Sequence, residues 1–170
     1  MIHEGAHFAA GQITGTSLDW RVGSFSQPIE YEENAEDDSD GLIVSSSGLI
    51  AQLAGSEVIL NVDRIDKNDA FVRGMMAWNI INPIMYALDY WFIRNTNDMN
   101  GDSYQGDLQG IEYYSSERTA NIFAGGMVAL ATFQGYRFLK TQTWAPEWIR
   151  GNTQNLQFAP TPDGGFFLGI

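Results

Sequence analysis

The sequence predicts a single domain of the α+β class that is predominantly helical and has a small β-sheet or hairpin. The length of 170 residues suits one domain over residues 1–170. Apolar residues make up 44% of the chain and aromatic residues 13%, which is typical of a folded protein. Apolar positions recur at helical spacing in the long segments, whereas residues that favour strands gather in one short stretch.

The N-terminal third contains signals for two helices and a strand region. Residues 2–12 predict a first helix, which the following Gly-containing segment would end. Residues 18–31 mix β-branched and aromatic residues with Gly and Pro and predict one or two short strands. The acidic run 30–41 ends in turn residues and predicts a solvated loop. Residues 45–62 predict a second helix, with Ser47 as its N-cap.

The remainder of the chain predicts further helices and an irregular end. Residues 68–95 form a long apolar segment that predicts a helix kinked or divided at Pro83. A polar, Gly-rich segment over 95–107 predicts a loop. Residues 108–142 predict one or two helices, and residues 143–170 predict an irregular tail with a final strand.

Composition limits the classes of function. The net charge is −12 and the isoelectric point about 4.3, which excludes a nucleic-acid-binding surface because little could neutralise phosphates. The absence of Cys excludes disulfides and thiolate metal sites. A functional helix that begins at residue 2 would lack a preceding cap, so we expect the chain to be a fragment of a longer polypeptide.

Two apolar segments are long enough to raise the question of a membrane. Residues 74–93 carry only Asp89 as a charge, and residues 119–136 carry none, so both approach the roughly 20 residues of a membrane span. Asn79 and Asn82 interrupt the first segment, and the mean hydropathy of the chain is −0.19. These features favour buried core helices, with membrane association as the alternative. A cell-envelope or membrane-associated location is expected ahead of a cytoplasmic one.

The N-terminal segment carries the clearest chemical motif. His3, Glu4 and His7 form the pattern H-E-x-x-H, and these are the only two His in the chain. Residues four apart lie on one face of a helix, so both imidazoles can bind one zinc ion. Glu4 would take a proton from a zinc-activated water as it attacks a peptide carbonyl, and pass it to the leaving amine. The motif predicts a zincin-like zinc metallopeptidase that acts on peptides or proteins.

A catalytic zinc ion needs a third protein ligand, and here it must be acidic because no other His and no Cys is present. Glu57 lies in the next predicted helix, Asp102 in the Gly-rich loop, and Asp107 at the end of that loop. Asp107 is the favoured candidate, since it can cap the following helix and would have a fixed backbone. Asp102 and Glu57 remain as alternatives.

The order of three segments resembles the zinc protease domain of the FtsH type. "HEGAH", "LIAQLAGSEVIL" and "GDLQGIEYYSSERTANI" follow one another as do H-E-A-G-H, a G-x-x-A-E-like helix and an N-D-[IL] turn in that family. The resemblance implies that Asp107 is the third zinc ligand. Gly106 stands where the family has Asn, and no ATPase module or P-loop is present, so ATP-driven proteolysis is not implied.

Site-two proteases offer a rival resemblance. They also combine H-E-x-x-H with a distant Asp, and "HFAAGQITG" is similar to their sequence after the motif. Their L-D-G motif is absent, and "ALDYW" around Asp89 is the nearest segment to it.

The Gly-rich loop also offers a calcium site. Asp98, Asn100 and Asp102 occupy positions 1, 3 and 5 of a calcium-binding loop. Ser103 and Gln109 stand where that loop requires Gly and Glu, and a polar turn is the alternative interpretation.

Two functions follow from the sequence. The first is zinc-dependent peptide hydrolysis, with Glu4 as the general base. The second is a non-catalytic metal-binding or structural module of a larger envelope or membrane assembly. Glu4 favours the first, because a structural metal site has no need of a carboxylate beside its ligands.

Overall fold

A computed structural model describes most of the chain: residues 2–20, 29–31, 35–93, 106–150, 157–160 and 166–169. In chain order the elements are α1 (Ile2–Thr14), β1 (Leu18–Trp20), β2 (Ile29–Tyr31), α2 (Asp38–Asn61), α3 (Ala70–Leu88), a π-helical turn (Asp89–Ile93), α4 (Asp107–Tyr113), α5 (Glu117–Thr141), α6 (Glu147–Arg150), β3 (Gln157–Pro160) and β4 (Phe166–Gly169). The predominantly helical part of the predicted fold class is confirmed.

The second helix begins earlier than the sequence predicts. Asp37 is its N-cap, because the side chain accepts a hydrogen bond of 2.7 Å from the backbone N–H of Ser39. The end of the acidic run is therefore the first turn of α2, where carboxylates are favourable beside the free N–H groups. The predicted loop boundary is wrong, and Ser47, the predicted cap, lies in the middle of α2.

Caps also fix the two other long helices. Asp69 accepts hydrogen bonds from the N–H groups of Phe71 and Val72 at the start of α3. Ser116 does the same for Thr119 at the start of α5. α3 is not divided at its internal proline, because it runs to Leu88 and passes directly into the π-helical turn.

α2 is the central helix and packs against α1, α3, α4 and α5. The main apolar core lies between α2, the end of α3 with its π-helical turn, α4 and α5. A smaller cluster joins α2, α3 and the end of α5. The main core contains Leu49, Leu53, Ala87, Tyr90, Leu108, Ile111, Ala120, Ala124, Met127 and Ala131. The smaller cluster contains Ile59, Met76 and Phe138.

The described strands form two short pairs. β1 pairs antiparallel with β2, so that Leu18 lies opposite Tyr31, and β3 pairs antiparallel with β4 in the tail. These are hairpin-like pairs of three or four residues rather than a sheet layer. The tail over 143–170, predicted as irregular with a final strand, also contains the short helix α6.

One described helix, α2, is long and apolar enough to cross a membrane by length and composition. Core helices of water-soluble proteins can pass the same test, and 44% of the apolar window in α2 is buried inside the bundle. The segments 74–93 and 119–136 lie largely within α3 and α5.

Candidate metal centre

The two motif histidines lie one helical turn apart on the buried face of α1. The Nε2 atoms of His3 and His7 are 3.1 Å apart, and the two rings meet edge to face. Both side chains are buried against α2. The helical spacing therefore does what the sequence predicts and brings both imidazoles to one point.

Hydrogen bonds to Nδ1 orient both rings. His7 Nδ1–H donates to the backbone carbonyl of Val44 at 2.7 Å, and His3 Nδ1–H donates to Gln52 Oε1 at 3.1 Å. Gln52 Oε1 also accepts from Asn82 Nδ2 at 2.9 Å, which fixes it as an acceptor. Because the Nδ1 atoms carry the protons, each neutral ring presents the lone pair of Nε2 to the centre.

Asp107 brings a carboxylate to the same point from α4. Oδ2 lies 3.1 Å from His3 Nε2, and Oδ1 lies 3.4 Å from His7 Nε2. The N-cap of α4 is Gly106, whose φ of 112° is a conformation that glycine adopts more readily than other residues. Asp107 is the first residue of α4, so the predicted capping role of Asp107 is wrong while its fixed position at the loop–helix junction is observed.

The donor set fits a metal ion. Two imidazole nitrogens and a carboxylate converge, and Asp107 Oδ2 is buried without a hydrogen-bond partner. Ligand atoms held tetrahedrally at about 2.0–2.2 Å from an ion lie roughly 3.3–3.5 Å from one another, close to the separations seen here. Facing lone pairs repel unless a proton or a cation lies between them. The group formed by His3, His7 and Asp107 can therefore hold a metal ion.

Gly48 of α2 leaves room for the imidazole rings of His3 and His7. A Cβ atom there would lie 2.7 Å from Cε1 and 2.8 Å from Nδ1 of His3, and closer still to Nε2 of His7. Since real Cβ atoms essentially never make such contacts, the imidazoles can occupy these positions only because residue 48 has no side chain.

Gly48→Ala is therefore expected to lower the affinity for zinc by roughly 10–100-fold, the range seen when ligand support is disturbed. The control is Gly55→Ala on the same helix, where the added Cβ meets only Asn79 Nδ2 at 3.6 Å. Competition titrations with a chelator measure both affinities. Equal affinities in the two variants would contradict the role of Gly48.

Glu4 and Tyr86 border the centre. Glu4 Oε1 lies 4.0 Å from His3 Nε2, and its side chain is 23% exposed. Tyr86 of α3 places its Oη 3.5 Å from His3 Nε2. Glu4 is thus beside the predicted ligands without being part of the group.

The metal-free centre binds a proton tightly. Burial by itself lowers the pKa of His7, but the Asp107 carboxylate outweighs it and raises the pKa to about 9. Burial raises the pKa of Asp107, but the positive charge on His7 outweighs it and lowers the pKa well below its usual range. At neutral pH a proton shared with His7 occupies the place that a metal ion would take.

Zinc affinity is therefore expected to rise with pH. The folded-state pKa of His7 lies above the unfolded value of 6.5, so the proton stabilises the metal-free fold below pH 6.5. That stabilisation is lost as the pH rises to about 9. Zinc must displace this proton, so its affinity should increase by up to about tenfold per pH unit between these values. Chelator-buffered zinc titrations at several pH values test this, and a flat profile would contradict it.

The other acidic candidates lie elsewhere or outside the described residues. Glu57 forms an ion pair with Arg137 at 2.8 Å and accepts a hydrogen bond from Gln134, away from the histidines. Asp102 and the predicted calcium triad that contains it fall in 94–105, outside the described residues. Asp89 begins the π-helical turn and is not in the group of metal-binding side chains.

Comparison with known proteins adds no assignment. No family model matches the chain, and neither a curated protein nor a solved structure matches it. The resemblances to FtsH-type and site-two proteases therefore stay predictions from short motifs.

Sequence reasoning did not find the residues that support the histidines. Gln52, Gly48 and the carbonyl of Val44 all lie on one face of α2, and Tyr86 lies on α3. The one available signal was a run of small and polar residues inside an otherwise apolar helix, which is unusual for a core helix.

Proposed function

We propose that this chain is a zinc-dependent hydrolase of the H-E-x-x-H metallopeptidase type. In this proposal His3, His7 and Asp107 bind the ion, and Glu4 is the general base. One observation carries it: the packing of α4 brings a carboxylate from far along the chain to the two histidines, beside Glu4. A chance H-E-x-x-H sequence would give no reason for this convergence.

The donor types favour zinc. Two imidazole nitrogens and one carboxylate are a ligand set that zinc accepts, and three protein ligands leave a position for water or substrate. Calcium and magnesium prefer sites made of oxygen ligands only. The Nδ1 hydrogen bonds to Val44 and Gln52 are the supporting contacts that zinc-binding histidines commonly make.

The protein side chains around the centre supply the remaining chemistry. Zinc, when bound, lowers the pKa of water and polarises a carbonyl group. Glu4 accepts the proton of the attacking water and passes it to the leaving amine nitrogen, so that the C–N bond breaks without forming a free amide anion. Tyr86, whose Oη lies 3.5 Å from His3 Nε2, would donate a hydrogen bond to the carbonyl oxygen as negative charge develops there.

Peptides or proteins are the proposed substrates, on the strength of the motif. A non-catalytic metal-binding or structural module of a larger envelope or membrane assembly is the second candidate function. Glu4 separates the two: a purely structural metal site would place no partly exposed, non-ligating carboxylate at 4.0 Å from a ligand nitrogen.

The metal proposal is tested by metal analysis of the purified protein after dialysis. The native chain is expected to retain about one zinc per molecule, and the His3→Ala, His7→Ala double variant none, because two of three ligands are lost. Glu57→Gln is the control and should retain zinc, since Glu57 pairs with Arg137. Equal zinc in the native chain and the double variant would overturn the site.

A further inference from the structure

The outer face of α3 is an apolar stripe. From Trp78 onward, large side chains recur every three or four residues on the side turned away from the bundle. Trp78 is 60% exposed, and Phe92 of the adjoining π-helical turn is 78% exposed. The stripe contains Phe71, Trp78, Ile81, Met85, Leu88 and Phe92. Contiguous exposed apolar residues of this kind commonly mark a surface that contacts a protein or a membrane.

The neighbouring helices α2 and α5 also expose large apolar side chains. α2 exposes Ile43, Ile50 and Val58, and α5 exposes Ile122 and Leu130. These helices pack on one another and on α3, so the apolar surface extends over three helices rather than one patch. A single docked protein would cover one face of the bundle. Apolar side chains exposed on three helices instead suit a bundle that is surrounded by lipid.

The buried face of α5 is rich in small residues. Ala120, Ala124 and Ala131 of α5 are fully buried, and small residues let helices approach closely. Gln134 is also completely buried, and its Nε2 donates to the carbonyl of Leu53 at 3.0 Å. The buried face of α5 thus combines small residues and one glutamine with Met127 and Phe138, while large apolar residues of the same helix, Ile122 and Leu130, are exposed.

Each of the three helices contains a long segment without charged residues. These segments are 41–56 in α2, 74–88 in α3 and 119–136 in α5. At a rise of 1.5 Å per residue they are roughly 22–27 Å long. This approaches the hydrocarbon thickness of a bilayer, about 30 Å.

Most of the Lys and Arg residues lie at one end of this uncharged belt, where Asp63, Asp66, Asp69 and Glu147 also lie; we call it the basic end because Lys and Arg are the residues that set membrane orientation. The end of α5 and the start of α3 meet there, because Asn68 Nδ2 donates to Thr141 O and Gln142 Nε2 donates to Lys67 O. Six of the nine Lys and Arg residues lie at this end or in the segments that lead from it: Arg64, Lys67, Arg73, Arg137, Lys140 and Arg150. Trp144 and Trp148 are exposed nearby, as aromatic residues are at membrane interfaces.

The opposite end is acidic. Asp37, Asp38 and Asp40 surround the start of α2, and Glu117 opens α5. Among the described basic residues, Arg118 lies at this end. The asymmetry in Lys and Arg gives the bundle a direction, since basic residues remain on the cytoplasmic side of a membrane.

We propose that α2, the one described helix that is long and apolar enough to cross a membrane, spans a lipid bilayer together with α3 and α5, which are included because of their exposed apolar faces. The basic end lies on the cytoplasmic side. α1 and α4 are too short to span and contribute to the interior. This arrangement replaces the expectation that 74–93 and 119–136 are core helices of a water-soluble domain. It does not depend on the metal centre.

The chain contains no Cys, so single Cys substitutions report on position directly. Ile50→Cys and Ile81→Cys lie in the middle of the uncharged belt, Glu36→Cys at the acidic end and Glu147→Cys at the basic end. In spheroplasts, a membrane-impermeant maleimide is expected to label Glu36→Cys directly and Glu147→Cys only after permeabilisation. The two belt variants should react only after denaturation in SDS.

The full chain should also stay with the membrane pellet after alkaline carbonate extraction. Labelling of the belt variants at the same rate as the end variants, with the chain in the soluble fraction, would overturn the proposal. A soluble, detergent-free dimer in which Ile81→Cys alone is protected would overturn it as well, because the stripe would then be an interface between two copies. Reversed labelling of the two end variants would overturn the orientation.

Discussion

Asp107→Asn is expected to lower zinc affinity by more than the roughly 10–100-fold that follows loss of a hydrogen-bond partner of a metal ligand. The reason is direct: Asp107 supplies the only carboxylate within 3.4 Å of the histidine Nε2 atoms among the described residues. Asparagine keeps the size of the side chain and removes its charge. Titration against a zinc chelator at fixed pH measures the loss.

The control for this variant is Glu57→Gln, which removes a carboxylate of the same chain that pairs with Arg137. Its zinc affinity should stay within a few-fold of the native value, because surface ion pairs contribute little beyond their own contact. Circular dichroism confirms that both variants keep their helices. If the two variants lost affinity equally, Asp107 would not be a ligand.

Glu4→Gln is expected to keep zinc and lose hydrolysis. Glutamine has nearly the shape of glutamate but cannot accept the proton of the attacking water, and general-base catalysis typically contributes about 10²–10⁴-fold to the rate. Glu4 Oε1 lies 4.0 Å from His3 Nε2, beside the ligand group rather than within it, so the bound metal should be unaffected. Metal content and the cleavage rate of an unfolded casein-type substrate are measured on the same preparation.

Glu117→Gln is the matched control for the activity assay, because Glu117 lies in the first turn of α5 at the surface. It should hydrolyse the substrate at the native rate. A Glu4→Gln variant with native activity would exclude the proposed mechanism, while a variant that lost both zinc and activity would show Glu4 to be a ligand instead.

The helices show which parts of the fold could be predicted from sequence patterns. The positions of α1, α3 and α5 follow from apolar spacing, which depends only on neighbours along the chain. The start of α2 was missed because Asp37 was interpreted as part of a solvated acidic loop, although Asp is also a common N-cap. The internal proline of α3 did not divide that helix, since packing on both sides overrode its local tendency.

The sequence by itself determined the two histidines of the candidate metal centre and the chemical type of the third candidate ligand. His3 and His7 share a face because any helix places residues four apart one above the other, and the lack of further His or Cys left only a carboxylate. It also predicts, from the net charge, that nucleic acid is not a partner. These conclusions rest on local geometry and composition, which require no knowledge of the fold.

Only the tertiary structure decided which carboxylate lies beside the two histidines and which residues hold the imidazole rings in place. Asp107 meets the histidines because α4 packs on α2, and Gly48 and Gln52 act through the face that α2 turns toward α1. The outward direction of the apolar stripe on α3 was decided in the same way, because a periodic pattern shows that two faces differ but not which one is covered. Contacts between distant segments depend on how the helices pack, and helix packing cannot be predicted from the spacing of residues along the chain.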